Sequence, residues 1–163
     1  MDLVGPGPLK PHFEDSIRAV SNLPFCKSWV DLGSGAGFPG IALAALCPDS
    51  QVTLVESRQK RAVFLRRVVS EAKIKNIRVY QGRTEDLSAE SSSGVISRAY
   101  KPPLEYLKDA QRLLPADGHA VCLLGSEGDF ETPVGWRLIE QHRYSVGSEF
   151  RKRMILQREP STS

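Results

Sequence analysis

Residues 30–40 read Val-Asp-Leu-Gly-Ser-Gly-Ala-Gly-Phe-Pro-Gly, so an apolar run ends in an acid and glycines follow at alternate positions. This order predicts a strand, a tight turn and the start of a helix. Glycines in such a turn let a ligand approach the backbone closely, as they do in nucleoside sites. We therefore expect a nucleoside-containing cofactor here, with candidate contacts at Asp31, Gly33, Gly35, Gly37 and Phe38.

Two cofactor classes fit this glycine loop. Gly35, Gly37 and Gly40 match the G-x-G-x-x-G fingerprint, and Glu56 follows at about the spacing of an acid that binds ribose hydroxyls, so an NAD-linked dehydrogenase is one alternative. Asp31 discriminates between the two cofactor classes, because a carboxylate beside the loop repels the pyrophosphate of a dinucleotide. The same carboxylate attracts the ammonium and sulfonium groups of S-adenosylmethionine, directly or through water. We predict S-adenosyl-L-methionine as the cofactor and S-adenosyl-L-homocysteine as the product.

Positive charge is concentrated in one part of the chain, although the formal net charge is only +3. A second basic cluster occupies residues 151–153. This asymmetry is typical of a nucleic-acid partner, and a solvated basic helix face is the alternative. The main segment holds one acid, Glu71, and nine basic residues: Arg58, Lys60, Arg61, Arg66, Arg67, Lys73, Lys75, Arg78 and Arg83.

The elements that must position these residues alternate between strands and helices. The sequence predicts helices over residues 13–23, from Pro39 to residue 47, around residues 62–72 and over 103–114. This alternation predicts an α/β fold, a Rossmann-like, mostly parallel, doubly wound sheet with a C-terminal antiparallel strand. Ligands bind such sheets beyond the carboxyl ends of the strands. The predicted strands are residues 28–33, 51–57, 77–82, 94–99, 118–125, 136–146 and 151–158.

Length and composition indicate one domain over residues 12–159, with a flexible arm at 1–11 and a loose tail at 160–163. The three cysteines, Cys26, Cys47 and Cys122, lie in or beside apolar runs without metal-binding spacing, which predicts buried thiols in a reducing compartment. Neither a leader nor an apolar run of about 20 residues is visible. We expect a cytoplasmic location, no membrane partner and no metal.

Four blocks, residues 30–43, 54–65, 82–87 and 95–100, resemble the bacterial 16S rRNA guanine-N7 methyltransferases, called RsmG or GidB. The resemblance extends over residues 12–158, and the proline in the Gly-x-Gly-x-Gly-x-Pro-Gly loop is more specific than a general methyltransferase loop. It implies a class I S-adenosylmethionine-dependent fold and an enzyme that methylates N7 of a guanine. The implied partner is 16S rRNA or the small ribosomal subunit.

The resemblance also implies roles for individual residues. Gly33 and Phe38 should contact the cofactor, and Glu56 should bind its ribose. Thr84 and Glu85 should flank the adenine. Arg98 should lie beside the cofactor and orient the incoming base, which makes it the candidate catalytic residue. The basic residues expected to face RNA are Lys60, Arg61, Arg66, Arg67 and Arg83.

Each role has a plainer alternative. Glu56 could cap the following helix, Arg98 could form an ordinary salt bridge, and Glu85, Lys60 and Arg83 could be solvated surface residues. The three histidines, His12, His119 and His142, have no partner at catalytic or metal spacing.

One position departs from the family pattern. The family carries a lysine before glycine at the end of the fifth strand, where this chain has Leu124 and Gly125. A cation is therefore missing beside the expected substrate, and Lys101 is an alternative source. Two further functions stay open on the same fold: a catalytically weak or inactive RNA- or cofactor-binding protein, and a methyltransferase for small molecules.

Overall fold

The computed structural model describes residues 9–126 and 128–160. Seven strands form one sheet in the order β3-β2-β1-β4-β5-β7-β6. The strands are β1 (Ser28–Leu32), β2 (Gln51–Glu56), β3 (Ile77–Gln81), β4 (Gly94–Arg98), β5 (His119–Gly125), β6 (Trp136–Val146) and β7 (Glu149–Arg158). The helices are α1 (Leu9–Val20), α2 (Gly40–Leu46), α3 (Gln59–Glu71) and α4 (Pro103–Leu113), and a short 3-10 helix spans Thr84–Asp86.

The sheet has the predicted doubly wound topology. The five strands from β3 to β5 pair in parallel, whereas β7 is antiparallel to both β5 and β6. The chain builds outward from β1 to β3 and then returns to place β4 on the other side of β1. Strand order therefore reverses between β1 and β4, and the crevice beyond their carboxyl ends is the expected ligand site.

Both faces of the central strands are buried, which explains their continuous apolar sequences. In β1, Val30 and Leu32 pack in one core cluster with α4, whereas Trp29 packs in the other cluster with α2 and α3. The alternation follows the two-residue period of a strand. Helices pack on both faces of the central strands, so the carboxyl ends of these strands hold the residues of a site in fixed positions.

Several predicted boundaries are wrong. Helix α1 begins at Leu9 and ends at Val20, so residues 9–11 are helical instead of extended, because proline is tolerated in a first helical turn. Pro39 is the N-cap of α2, and the helix proper begins at Gly40. Strand β7 begins at Glu149 instead of residue 151. Residues 1–8 of the predicted arm and 161–163 of the predicted tail lie outside the described residues.

The predicted basic cluster at residues 151–153 does not form one surface patch. Lys152 and Arg153 are only 2% and 4% exposed. Lys152 Nζ lies 3.0 Å from Asp129 Oδ1, and Arg153 Nε donates to Glu140 Oε1 at 3.0 Å. Successive side chains of a strand point to opposite faces, and here each buried cation has a carboxylate partner on its own side.

Within the described ranges, no helix combines the length and apolar character that a membrane crossing requires.

Candidate functional site

A cavity of about 590 Å³ opens at the carboxyl edge of the sheet, where strand order reverses. Its walls come from the glycine loop after β1, the ends of β4 and β5, and α1. Predicted residues that line it are Gly33, Gly35, Phe38, Arg61 and Arg98. These five come from three separate parts of the sequence, and the fold brings them to one opening.

The three loop glycines have different surroundings. Gly33, Gly35 and Gly37 have positive φ angles of 68°, 55° and 98°, which favour glycine. A Cβ at Gly35 would find only the Gly33 carbonyl oxygen, 3.8 Å away, whereas one at Gly37 would collide with Ile41. Only Gly35 therefore leaves open space beside the cavity, and Gly37 is required for packing of the loop on α2.

Glu56 is bound to the glycine loop from the end of β2. Its Oε2 accepts a hydrogen bond from Gly35 N at 3.1 Å, and its Oε1 accepts one from Arg58 N at 2.8 Å. The side chain is buried and does not line the cavity. Each carboxylate oxygen keeps a second lone pair, so Glu56 can accept further hydrogen bonds from a ligand at the loop.

Asp31 is fully buried below the loop and does not line the cavity. Its Oδ2 accepts a hydrogen bond from Gly40 N at 3.0 Å, which joins β1 to the start of α2. Its Oδ1 is buried without a hydrogen-bond partner among the described residues. Burial raises the pKa of the Asp31 carboxyl to about 7, against the opposing effects of Gly40 N–H and Arg98. Asp31 therefore lies beneath the loop and not in the cavity wall, and its contact with a cofactor, directly or through water, stays a prediction.

Arg98, at the end of β4, forms an ion pair with α1. Its Nη1 donates to Asp15 Oδ2 at 3.1 Å, and Tyr144 donates its hydroxyl to Asp15 Oδ1 at 2.9 Å. Burial and the Asp15 carboxylate raise the pKa of Tyr144, so the phenol stays a donor. Arg98 forms this salt bridge and also lines the cavity. Its side chain is 24% exposed, and its other guanidinium nitrogens remain available to a ligand.

Thr84 and Glu85 belong to a second group of polar contacts, which is centred on Tyr100 and Lys101. Thr84 Oγ1 and the Tyr100 hydroxyl are 2.7 Å apart, and Lys101 Nζ lies 2.8 Å from Asp109 and 3.7 Å from Glu85. The hydrogen bond to Asp109 raises the pKa of Lys101, so the amine remains protonated. Thr84 and Glu85 do not line the cavity, but Lys101 does.

The predicted RNA-facing residues spread over α3 and the start of the 3-10 helix. Lys60, Arg66, Arg67 and Arg83 are exposed, and of the predicted set only Arg61 lines the cavity. Arg67 Nε lies 2.7 Å from Glu71, so this exposed cation is already paired on its own helix. The basic segment is therefore a solvated rim that begins at the cavity and continues along α3.

Sequence reasoning missed several cavity residues. His12 and Asp15 of α1 line it, as do Tyr144 and Arg151 from the β6–β7 hairpin. No local motif marks His12, Asp15 or Tyr144, since each reaches the site through packing between distant parts of the chain. Arg151 was predicted only as part of a basic cluster and not as a cavity residue. His12 thus lies in the cavity although its sequence context suggested no role.

The cysteines and the remaining histidines lie outside the cavity, except Cys122. Cys26 and Cys122 are buried, and Cys47 is half-buried. Burial raises the pKa of Cys26 to about 12, so this thiol is unreactive near neutral pH. Within residues 9–126 and 128–160, no group of three or more His, Cys, Asp or Glu side chains could hold a metal ion.

Comparison with solved structures shows the fold. A SAM dependent methyltransferase from Aquifex aeolicus superposes with a TM-score of 0.69 at 14% identity, covering 92% of this chain and 93% of that one. At this identity the likeness concerns architecture alone. The architecture is the predicted Rossmann-like methyltransferase fold.

Sequence comparison identifies the family. Proteins called ribosomal RNA small subunit methyltransferase G from Methylobacillus flagellatus and Klebsiella pneumoniae are each 38% identical, over 70% and 79% of this chain. The chain spans 56% and 64% of the length of these two curated relatives. The family model for rRNA small subunit methyltransferase G, GidB, matches residues 8–145. Because this match covers most of its length, the chain belongs to the GidB family of small-subunit rRNA methyltransferases.

Proposed function

We propose that this chain is an S-adenosylmethionine-dependent methyltransferase that transfers a methyl group to N7 of a guanine in 16S rRNA. One observation carries the proposal: the glycine loop, hydrogen-bonded to Glu56, opens into a cavity whose rim is basic. A nucleoside cofactor and a polyanionic substrate would meet at this point. The names of the chain's relatives agree with this substrate.

The residues around the loop fit the cofactor. Gly35 leaves room for close approach, and Glu56 can accept hydrogen bonds from ribose hydroxyls. We assign Gly33 and Phe38 to the cofactor contact and Thr84 and Glu85 to the adenine side. Asp31 and Gly37 hold the loop in place. Asp31 joins β1 to the start of α2, and Gly37 lets the loop pack against α2.

The reaction needs little acid–base chemistry from the chain. S-adenosylmethionine, when bound, supplies a methyl group on a positively charged sulfur. Guanine N7 carries a lone pair and no proton, so no side chain has to remove one. The main task of the protein is alignment of N7 with the methyl carbon.

Arg98 and Lys101 are the residues that we expect to position the base. Asp15 and Tyr144 fix one side of the Arg98 guanidinium, and its remaining N–H groups can donate to guanine O6 or stack on the ring. Lys101 lines the cavity together with Leu124, so we expect this cation, which is paired with Asp109, to replace the lysine that the family has at position 124. The N7 edge is hidden in the deep groove of A-form RNA, so an unpaired guanine is the expected target.

The test combines cofactor binding with methyl transfer. S-adenosylhomocysteine should raise the melting temperature of the wild-type chain, and labelled S-adenosylmethionine should label the RNA of undermethylated small subunits. Glu56→Ala should abolish the melting shift and the labelling, because two backbone N–H groups and the ribose lose their acceptor. Glu105→Ala, an exposed acid on α4, is the matched control and should behave as wild type.

Each result has a distinct meaning. A full melting shift in the Glu56 variant would exclude Glu56 from the site. Cofactor binding without labelled RNA would favour a binding protein that has lost turnover. Stabilisation by NAD but not by S-adenosylhomocysteine would contradict the proposal as a whole.

A further inference from the structure

A second basic groove adjoins the cavity on the side of the β6–β7 hairpin. It has a volume of about 590 Å³ and is lined by residues of α1, of the loop after β5 and of the hairpin. Tyr144 and Arg151 line both spaces, so the two are adjacent. The groove that we call the hairpin groove is lined by Arg18, His142, Arg143, Phe150, Arg151 and Lys152.

The hairpin groove carries positive charge that the fold neutralises only in part. Arg151 and Lys152 are paired with Glu149 and Asp129. Arg18 and Arg143 are exposed, and no carboxylate among residues 9–126 and 128–160 forms an ion pair with either. Both arginines therefore keep donors for an anion, although Asp129 lies close enough to Arg143 for this cation to help lower the Asp129 pKa. Arginine presents a rigid fork of donors that matches phosphate.

An exposed aromatic ring stands beside these charges. Phe150 is 64% exposed and lines the groove, and the His142 ring stacks on Tyr144 with centroids 6.2 Å apart. Exposed apolar side chains are common on protein surfaces, but Phe150 lies in a groove beside exposed arginines. Such a ring is well suited to stack on a nucleobase, and stacking tolerates any sequence.

We propose that the hairpin groove binds single-stranded RNA that flanks the target guanine. This inference rests on the proposed function, because it extends the substrate beyond the cavity. Arg61 lies on the α3 side of the cavity and Arg151 on the hairpin side. One RNA strand can therefore contact α3, place a base in the cavity and continue along the hairpin. Duplex RNA does not suit this path, since its bases are already stacked.

The test measures binding of a short fluorescein-labelled single-stranded RNA by anisotropy over a salt series. Arg143→Ala should reduce the magnitude of the slope of log affinity against log salt by about 0.7, as expected for one lost phosphate contact. Phe150→Ala should weaken binding about five-fold or more and leave the slope unchanged. Both side chains are exposed, so we expect the variants to melt as the wild type does.

Two substitutions outside the groove are matched controls. Arg137→Ala changes an exposed arginine of β6 near the other end of the hairpin, and Phe25→Ala removes a phenylalanine that is 76% exposed. Both should bind RNA as the wild type does. Equal losses in the control and groove variants would overturn the proposal, as would equal affinity for duplex RNA.

Three further outcomes separate the possible failures. If Lys60→Ala weakens RNA binding but Arg143→Ala and Phe150→Ala have no effect, the role of the hairpin groove in RNA binding is overturned. The proposed rRNA function would then remain intact. A wild-type chain that binds S-adenosylhomocysteine but no RNA would overturn the proposed substrate as well. If the chain binds polyglutamate as tightly as RNA, and Phe150→Ala changes neither affinity, the groove is a site for an acidic protein and the RNA proposal is overturned.

Discussion

Asp31 is a carboxyl group whose ionisation the fold opposes. It is fully buried, one oxygen has no partner among the described residues, and burial raises its pKa from 3.8 to about 7. The folded chain therefore holds the Asp31 proton more tightly than the unfolded chain does. Protonation of this residue stabilises the fold fully below about pH 4, and this stabilisation is lost as pH rises through about 7.

Asp31→Asn should remove this pH dependence, because the amide keeps an acceptor for Gly40 N–H and does not ionise. We expect the free energy of unfolding of the variant, relative to wild type, to rise between pH 4 and pH 8 by up to about 4 kcal/mol. Urea denaturation over this pH range measures it. Asp49→Asn, at an exposed aspartate, is the control and should follow the wild type. Parallel curves for wild type and Asp31→Asn would contradict the placement of this carboxyl.

At the scale of elements, Arg153 connects the C-terminal hairpin to the first helix. Its Nη1 donates to the carbonyl oxygens of Ala19 at 3.1 Å and Ser21 at 2.7 Å, and its Nε donates to Glu140. These bonds satisfy carbonyl groups at the C-terminal end of α1, which the helix itself leaves without partners. The cation therefore has a structural role, although sequence charge alone suggested nucleic acid.

Arg153→Met should destabilise the chain by about 2 kcal/mol, because buried carbonyl groups lose a charged donor. RNA affinity of the folded variant should equal that of the wild type. Urea denaturation and fluorescence anisotropy measure the two quantities, and Arg137→Met on the same hairpin should change neither. If the variant keeps its stability but loses RNA binding, residues 151–153 act as the basic surface patch that the sequence predicted, and the structural role of Arg153 is contradicted.

How far sequence predicts these elements depends on whether the signal is local. Each central strand was predicted to within a residue or two, because burial on both faces requires a continuous apolar run. The glycine loop was predictable for the same reason, since its chemistry lies within eleven consecutive residues. The start of α1 was missed because the glycines and prolines of residues 1–11 suggested an extended arm, whereas a first helical turn accepts Pro11.

The parts of the site that could not be predicted depend on contacts between distant residues. Asp15 and Tyr144 are 129 residues apart in sequence, yet their hydrogen bond fixes the Arg98 guanidinium. Likewise, the pairing of Lys152 with Asp129 depends on how the loop before β6 packs. One sequence holds no signal for such pairs.

At the scale of the whole molecule, the cavity lies between two basic surfaces. Exposed cations of α3 form one side, and the hairpin groove forms the other. If one RNA strand contacts both surfaces at once, substitutions on the two sides act on the same complex. Their effects on the free energy of binding should then add, because the residues share no partner.

The double variant Arg66→Ala/Arg143→Ala tests this arrangement. Its loss of binding free energy should equal the sum of the single losses to within about 0.5 kcal/mol, measured by anisotropy with an RNA long enough to cross the cavity. An RNA too short to reach both sides is the control. If RNA instead binds either side independently, the single variants will show small losses and the double variant a loss well above their sum.

The hydrogen bond between Asp15 and Tyr144 also bears on how the protein forms during synthesis. Helix α1 leaves the ribosome well before Tyr144 and Arg153, because these two residues follow their α1 partners by 129 and 134 residues. Contacts so distant in sequence form late and slow the folding rate. The nascent chain therefore lacks a complete cavity wall until β6 and β7 have emerged, so a ligand that needs this wall cannot bind before then.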